Sequence, residues 1–259
     1  MYGFISYNQY KKELALNETY ESYAELSTLA HDIITRYSIG SSFAKDKFHY
    51  IKDVYRNHDL FKDDISDINN FKVIKNFVNE KIGIIYSDKV LKIGGGIFMT
   101  PVDYKEYLER IFDIVDVEEL TEKFPVGILA IGTRESEYLL HELQHAYDNY
   151  RSGGKLTTGK NMEKYDVKVR QLLDNIISRE DIAPFYFRSQ PELSSYFVQA
   201  MHSLNLLDWQ KHSLRNINDL YSDFKRKFHG YEYLTPKIKK MLARKFSQYY
   251  HKIKEEQTV

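Results

Sequence analysis

His141 and His145 stand four residues apart, and Glu142 directly follows the first, in the run Tyr138-Leu-Leu-His-Glu-Leu-Gln-His-Ala-Tyr-Asp148. On an α-helix, residues four apart lie one above the other on the same face. Two imidazoles so placed can grip a single metal ion. The carboxylate of Glu142 lies beside them, where it can hold a water and take its proton.

This is the HExxH arrangement of zinc hydrolases, most of them peptidases. With 9 His in 259 residues, an accidental match has odds on the order of 2%, so context has to decide. Leu139, Leu143, Ala146, Tyr147 and Tyr150 recur at helical spacing and predict one stripe packed on a core. His141 and His145 fall on a neighbouring stripe with Asp148. Thr133 or Ser136 is expected to cap the helix start, with Glu135 and Glu137 near its positive end. Arg151 suits the other end, and Gly153-Gly154 stops the helix.

A catalytic zinc usually keeps three protein ligands and one exchangeable position. The extended form HExxHxxGxxH would need Gly at 148 and His at 151, where this chain has Asp148 and Arg151, so that class is excluded. The remaining candidates for the third ligand lie downstream. Glu163, Glu180 and Glu192 follow His145 by 18, 35 and 47 residues. His202 is a further candidate. Glu192 is favoured, because it opens a helix whose other face is apolar through Leu193, Tyr196, Phe197, Ala200 and Met201. The alternative for Glu192 is a carboxylate placed at a helix N-terminus for the dipole. Tyr186 lies six residues upstream in Phe185-Tyr186-Phe187. It is either an oxyanion donor or a packing residue. Asp148, one turn beyond His145, is expected either to orient a ligand histidine or to face solvent.

These parts need elements to hold them. Thr19–Tyr37, Phe43–Arg56 and Ile65–Val78 carry apolar residues near helical spacing and predict three helices. Ile82–Tyr86 and Val90–Ile93 around Ser87-Asp88 predict a β-hairpin. Ile97–Thr100 either continues the second arm or forms a third strand. Residues Val102–Val115 predict a helix, and Val126–Ile131 a short buried strand. After the motif helix come helices over 161–177, Pro191–Leu206, Tyr221–Phe228 and Lys237–Lys254, with Pro184–Gln190 as an irregular aromatic loop. Helices, then a small sheet, then helices indicate an α+β fold, predominantly helical, with the sheet next to the HExxH helix. Residues 1–80 read as an N-terminal helical region and residues 81–259 as the domain that carries the motif, the two forming either separate units or one integrated domain.

Composition narrows the function. Formal net charge is zero, so nothing points to nucleic acid as a partner. There are no cysteines, which excludes disulfides, thiolate metal sites and Cys nucleophiles. No run approaches the ~18 apolar residues of a membrane span. Met1–Leu16 is polar and tyrosine-rich, without the apolar core of a secretory signal. The expected location is therefore cytoplasmic, with virion association or signal-independent export left open. Heavy use of Lys, Asn, Ile and Tyr is the codon signature of an AT-rich genome such as a phage's.

His141-Glu-Leu-Gln-His-Ala-Tyr-Asp-Asn-Tyr150, followed by Glu192 opening an aromatic-rich helix, resembles the gluzincin metallopeptidases. Within that group it resembles the lethal-factor-like clan, whose motif runs HExxHAxDxY. His141, Glu142, His145, Ala146, Asp148, Tyr150 and Glu192 match that pattern residue by residue, within residues 90–206. The resemblance implies a zincin-like domain, with Zn2+ held by His141, His145 and Glu192. It also implies a transition-state tyrosine shortly before the glutamate, a position that falls at Phe185 or Tyr186. The expected activity is zinc-dependent endopeptidase cleavage of a peptide or protein substrate, with Glu142 as general base. Three other readings stay open: a cell-wall peptidase, an inactive zincin-like structural or virion protein, and a helical binding module with incidental histidines. Gly94-Gly95-Gly96 either lets a substrate backbone approach the sheet or forms a bulge or turn.

Overall fold

The computed structural model describes residues 20–38, 46–55, 68–93, 95–114, 117–133, 135–154, 179–207 and 215–256. The chain is mixed α+β and mostly helical, with one four-stranded sheet. Its strands are β1 (Phe48–Tyr50), β2 (Ile82–Tyr86), β3 (Gly96–Met99) and β4 (Gly127–Ile131). They lie in the order β1-β2-β4-β3. The central pair, β2 and β4, is parallel, and each edge strand runs antiparallel to its neighbour.

This topology follows from burial. Ile-Gly-Ile-Ile-Tyr and Gly-Ile-Leu-Ala-Ile are nearly continuous apolar runs, as expected of strands covered on both faces. Side chains alternate across a strand, so Ile82, Ile84, Leu129 and Ile131 face one layer of helices. Ile85, Ile128 and Ala130 face another, made of α3 (Tyr104–Phe112) and α4 (Glu118–Lys123). Tyr104 fastens the second layer, its hydroxyl donating to the Phe124 carbonyl at 2.6 Å.

The first layer holds the motif. It contains α1 (Tyr20–Ser38), α5 (Ser136–Arg151), α7 (Gln190–Ser203), α8 (Ile217–Lys227) and α9 (Pro236–Glu256). Buried residues of all five belong to one apolar cluster with the sheet, so α1 shares its core with the motif helix α5. Helix α5 lies against β3, β4, α1 and α7. A short helix α2 (Lys75–Asn79) precedes β2, and α6 (Arg179–Phe187) precedes α7. Among the described residues no helix is long and apolar enough to cross a membrane.

Several local expectations are corrected. Within the expected helix Phe43–Arg56, the described residues Phe48–Tyr50 form β1 and Ile51–Tyr55 a 3-10 turn. The aromatic and His side chains of Phe48-His49-Tyr50 suit a pleated, half-buried edge, and pairing with β2 overrides helical periodicity. The predicted hairpin does not form, because Asp88–Ile93 is a 3-10 turn and the partner of β2 is the distant β4. Ile65–Val78 reduces to a 3-10 turn at Ile68–Asn70 and α2. There Glu25 of α1 accepts the Lys72, Val73 and Ile74 N–H groups at 2.8, 2.9 and 2.9 Å, ending any longer helix. Phe185-Tyr186-Phe187 is helical within α6, with Pro184 inside it. The helix expected over 161–177 lies outside the described residues.

Candidate metal centre

Helix α5 begins after Glu135, whose side chain makes no cap. The expected caps act otherwise: Thr133 Oγ1 accepts the Glu135 N–H at 3.2 Å, and Ser136 Oγ pairs with His202 Nε2 at 3.0 Å. Gly153 and Gly154 take left-handed φ values of 63° and 81° just beyond the helix end, where only glycine sits without strain. Leu139, Leu143, Ala146 and Tyr147 are buried in the core, as their spacing requires. That packing turns His141 and His145 toward α7.

Helix α7 supplies the opposing group. Pro191 stands in its first turn, and Glu192 follows at 6% exposure. An ionised carboxylate buried to that degree needs partners, and it faces both histidines. Glu192 Oε2 lies 3.3 Å from His141 Nε2, and Glu192 Oε1 lies 3.4 Å from His145 Nε2. The two Nε2 atoms are 3.1 Å apart. A tetrahedral ion with bonds of about 2.0–2.1 Å holds its ligand atoms about 3.3 Å apart. His141, His145 and Glu192 therefore form a buried group that can hold a metal ion, and nitrogen-nitrogen-oxygen donors suit zinc and its first-row neighbours.

The electrostatics of the metal-free group agree with this geometry. Burial works against the His145 charge, but the Glu192 carboxylate beside it, with Glu142 and Asp148, raises its pKa to about 9. For Glu192, burial works against ionisation, but the His145 charge beside it, with the His141 imidazole, holds it well below the usual carboxylate range. The group thus keeps one proton between a nitrogen and a carboxylate, the place a cation would take.

The groups around the ligands differ in part from expectation. Asp148 is buried, accepts from Gln144 Nε2 at 2.8 Å and acts on His145 through its charge. The His145 Nδ1 atom is met by Ser195 Oγ at 3.3 Å. His141 Nδ1 is buried with no hydrogen-bond partner among the described residues, and its ring packs against Tyr196, with ring centres 4.5 Å apart. Ser195 and Tyr196 lie three and four residues beyond Glu192, so they share its face of α7. That periodicity is the signal that finds them in the sequence.

Glu142 acts on this group through its charge, which raises the His145 pKa. It turns to the sheet edge, where its Oε2 accepts the Phe98 N–H at 2.8 Å. Gly96 makes this approach possible: a Cβ there would lie 3.0 Å from Glu142 Cγ. Gly96 thus makes room for this chain's own carboxylate. Tyr186, on α6, packs edge-on to Tyr196 with ring centres 6.5 Å apart, and burial with the nearby Glu192 charge pushes its phenol up. His202 is not near the cluster: its ring bridges Ser27 Oγ at 2.7 Å and Ser136 Oγ. Glu163 lies outside the described residues, and the Glu180 side chain is not among those described. Compared with family models, with curated proteins and with solved structures, the chain matches none.

Proposed function

We propose that this chain is a zinc-dependent metalloendopeptidase of the lethal-factor-like gluzincin type, built on a zincin-like domain. The observation that carries the reading is the convergence of His141, His145 and Glu192 on one point, from two helices, with Glu142 one residue along. In this reading His141, His145 and Glu192 hold the zinc. The chemistry a bound zinc supplies is Lewis acidity, which acidifies water toward neutrality and draws electron density from a carbonyl.

The chain's own residues do the rest. Glu142 takes a proton from the attacking water as its oxygen bonds to the peptide carbon. When the C–N bond breaks, Glu142 returns that proton to the leaving amine. The Phe98 N–H bond to Oε2 holds the carboxylate still and leaves Oε1 to carry the proton. An extended peptide is the substrate shape that fits, because β3 is a sheet edge beside Glu142 and edges accept added strands.

The test is elemental analysis of purified wild type, His141→Ala, Glu192→Ala and Glu142→Gln, followed by a peptide library. The expected result is about one zinc per chain in wild type and Glu142→Gln. Zinc is lost or weakened in the two ligand variants, and cleavage is absent from Glu142→Gln. Wild-type protein that takes up no zinc on reconstitution, or Glu142→Gln protein with full activity, overturns the reading.

A further inference from the structure

The corner between α8 and α9 concentrates positive charge. Residues 224–244 carry seven Lys or Arg and one acid, Glu232, in a chain whose formal net charge is zero. Asp223, just before them, is engaged by Arg215 and Arg226. Lys225, Lys227, Lys237, Lys240 and Arg244 are exposed. Lys237, Lys240 and Arg244 recur at i, i+3 and i+7, so they share one face of α9. A tyrosine pair draws the two sides of the corner together. The Tyr221 and Tyr231 hydroxyls lie 3.1 Å apart, with Lys225 Nζ 5.4 Å over the Tyr221 ring and Lys239 Nζ 5.1 Å over the Tyr231 ring. Cations from both sides of the turn therefore form one surface.

This surface adjoins the metal group. The 3-10 turn Tyr231–Tyr233 packs on α6. Gly230 takes a left-handed φ of 72°, and a Cβ there would collide with the Phe187 ring, so the backbone lies directly on it. Tyr233 stacks on Phe187, ring centres 5.4 Å apart at 3°, and Arg188 Nε donates to the Tyr233 carbonyl at 2.6 Å. His229 is exposed, with its ring centre 5.6 Å from that of Tyr196, and Tyr196 lies 4.5 Å from the His141 ring. The basic corner is thus two ring contacts from a candidate ligand.

We propose that this corner is an exosite that takes an acidic segment of a polypeptide substrate and so brings the bond to be cut to the metal group. This rests on the metalloendopeptidase reading above and names its substrate class: polypeptides with clustered Asp and Glu within about eight residues of the cleaved bond, the reach of extended chain from the corner to His141. Exposed ion pairs are individually weak, so recognition comes from several cations acting on several carboxylates. Such a field raises the encounter rate and orients the substrate before it reaches the cleft. Lysines suit this task, since each is a point charge on a flexible stem and needs no fixed geometry in its partner. A nucleic acid is favoured by a long basic track that meets many phosphates. Here the charge is confined to one corner of a neutral chain and borders the metal group.

The test is fluorescence anisotropy of labelled decaglutamate with the full, zinc-loaded chain, beside labelled decalysine and labelled oligothymidine. Wild type is expected to bind decaglutamate about tenfold more tightly at about 50 mM than at about 200 mM salt, a measurement that needs no substitution. Replacing Lys225, Lys227, Lys240 and Arg244 together by Gln is expected to weaken that binding about tenfold, with zinc content unchanged. Cleavage of a proteome-derived peptide library by wild type should give cuts with Asp and Glu enriched within about eight residues, and the fourfold variant should lose that enrichment. Decaglutamate bound no more tightly than decalysine, or unchanged in the fourfold variant, overturns the proposal. Oligothymidine bound more tightly than decaglutamate also overturns it, and assigns the corner to nucleic acid. Cleavage without acidic enrichment overturns the exosite and leaves the peptidase reading standing. A chain that takes up no zinc and cleaves no peptide overturns that reading, and the exosite with it.

Discussion

Glu142 and Phe98 are joined between the motif helix and the free edge of the sheet, the Phe98 N–H donating to Glu142 Oε2 at 2.8 Å. The bond ties the residue most important to the proposed chemistry to β3 rather than to its own helix. A helix alone leaves a glutamate several rotamers. The strand selects one, and Gly96 leaves the space in which that rotamer lies.

Gly96→Ala tests this tie. The new Cβ would sit 3.0 Å from Glu142 Cγ and 3.3 Å from Oε1, so the carboxylate must shift. Gly96 has no left-handed backbone to disturb, so the fold should tolerate the methyl group. Turnover is expected to fall about 100-fold, since a misplacement near 1 Å costs that much. Zinc content should be unchanged. Cleavage rates on a library-derived peptide, alongside elemental analysis, check both halves.

The proton shared by His145 and Glu192 makes stability depend on pH with opposite signs in the two forms. In metal-free protein the His145 pKa is raised from 6.5 to about 9, so its contribution is complete below 6.5 and lost as pH rises through 9. The Glu192 contribution is present above its ordinary 4.5 and lost as pH falls. Metal-free Tm is therefore expected to fall from pH 6.5 to pH 9. Zinc must displace the proton, so its affinity should rise by about one log unit per pH unit below 9. Thermal melts with and without zinc at several pH values should diverge as pH rises, and parallel curves would contradict the arrangement.

Ser195→Ala removes the hydroxyl that meets His145 Nδ1. Outer partners of a ligand histidine fix its tautomer and orientation, and their loss typically costs 10–100-fold in metal affinity. Ser195 is fully buried, and Ala fills nearly the same space. The expected result is a folded protein with about tenfold weaker zinc binding, measured by competition with a chelating dye.

His202→Ala separates a structural histidine from a metal ligand. The ring joins Ser27 of α1 to Ser136 at the start of α5. Burial lowers its pKa, with Glu137 opposing and His31 reinforcing that shift. Losing two part-buried hydrogen bonds should cost about 2 kcal/mol. Denaturant unfolding should show that loss, with zinc still bound at wild-type stoichiometry.

Local periodicity was enough to define the centre of this molecule. The i, i+4 spacing of His141 and His145, the apolar stripe of α5 and the proline-led helix behind Glu192 are all written within a few residues of chain. Helix geometry turns such spacing directly into a shared face. Ser195 and Tyr196 follow from Glu192 by the same rule. Tertiary structure decided what depends on contacts between distant segments. On its inner side strand β2 pairs with β4 rather than with β3, the strand that follows it, because two apolar strands buried on both faces gain more from each other than from a local turn. The tie from Glu142 to Phe98 depends on strand register, which no local pattern encodes. Among the downstream candidates in described positions, the fold turned Glu192 toward the histidines and placed His202 between two serines. That choice was made by the way α7 packs along α5, a relation set by the whole core rather than by the residues themselves.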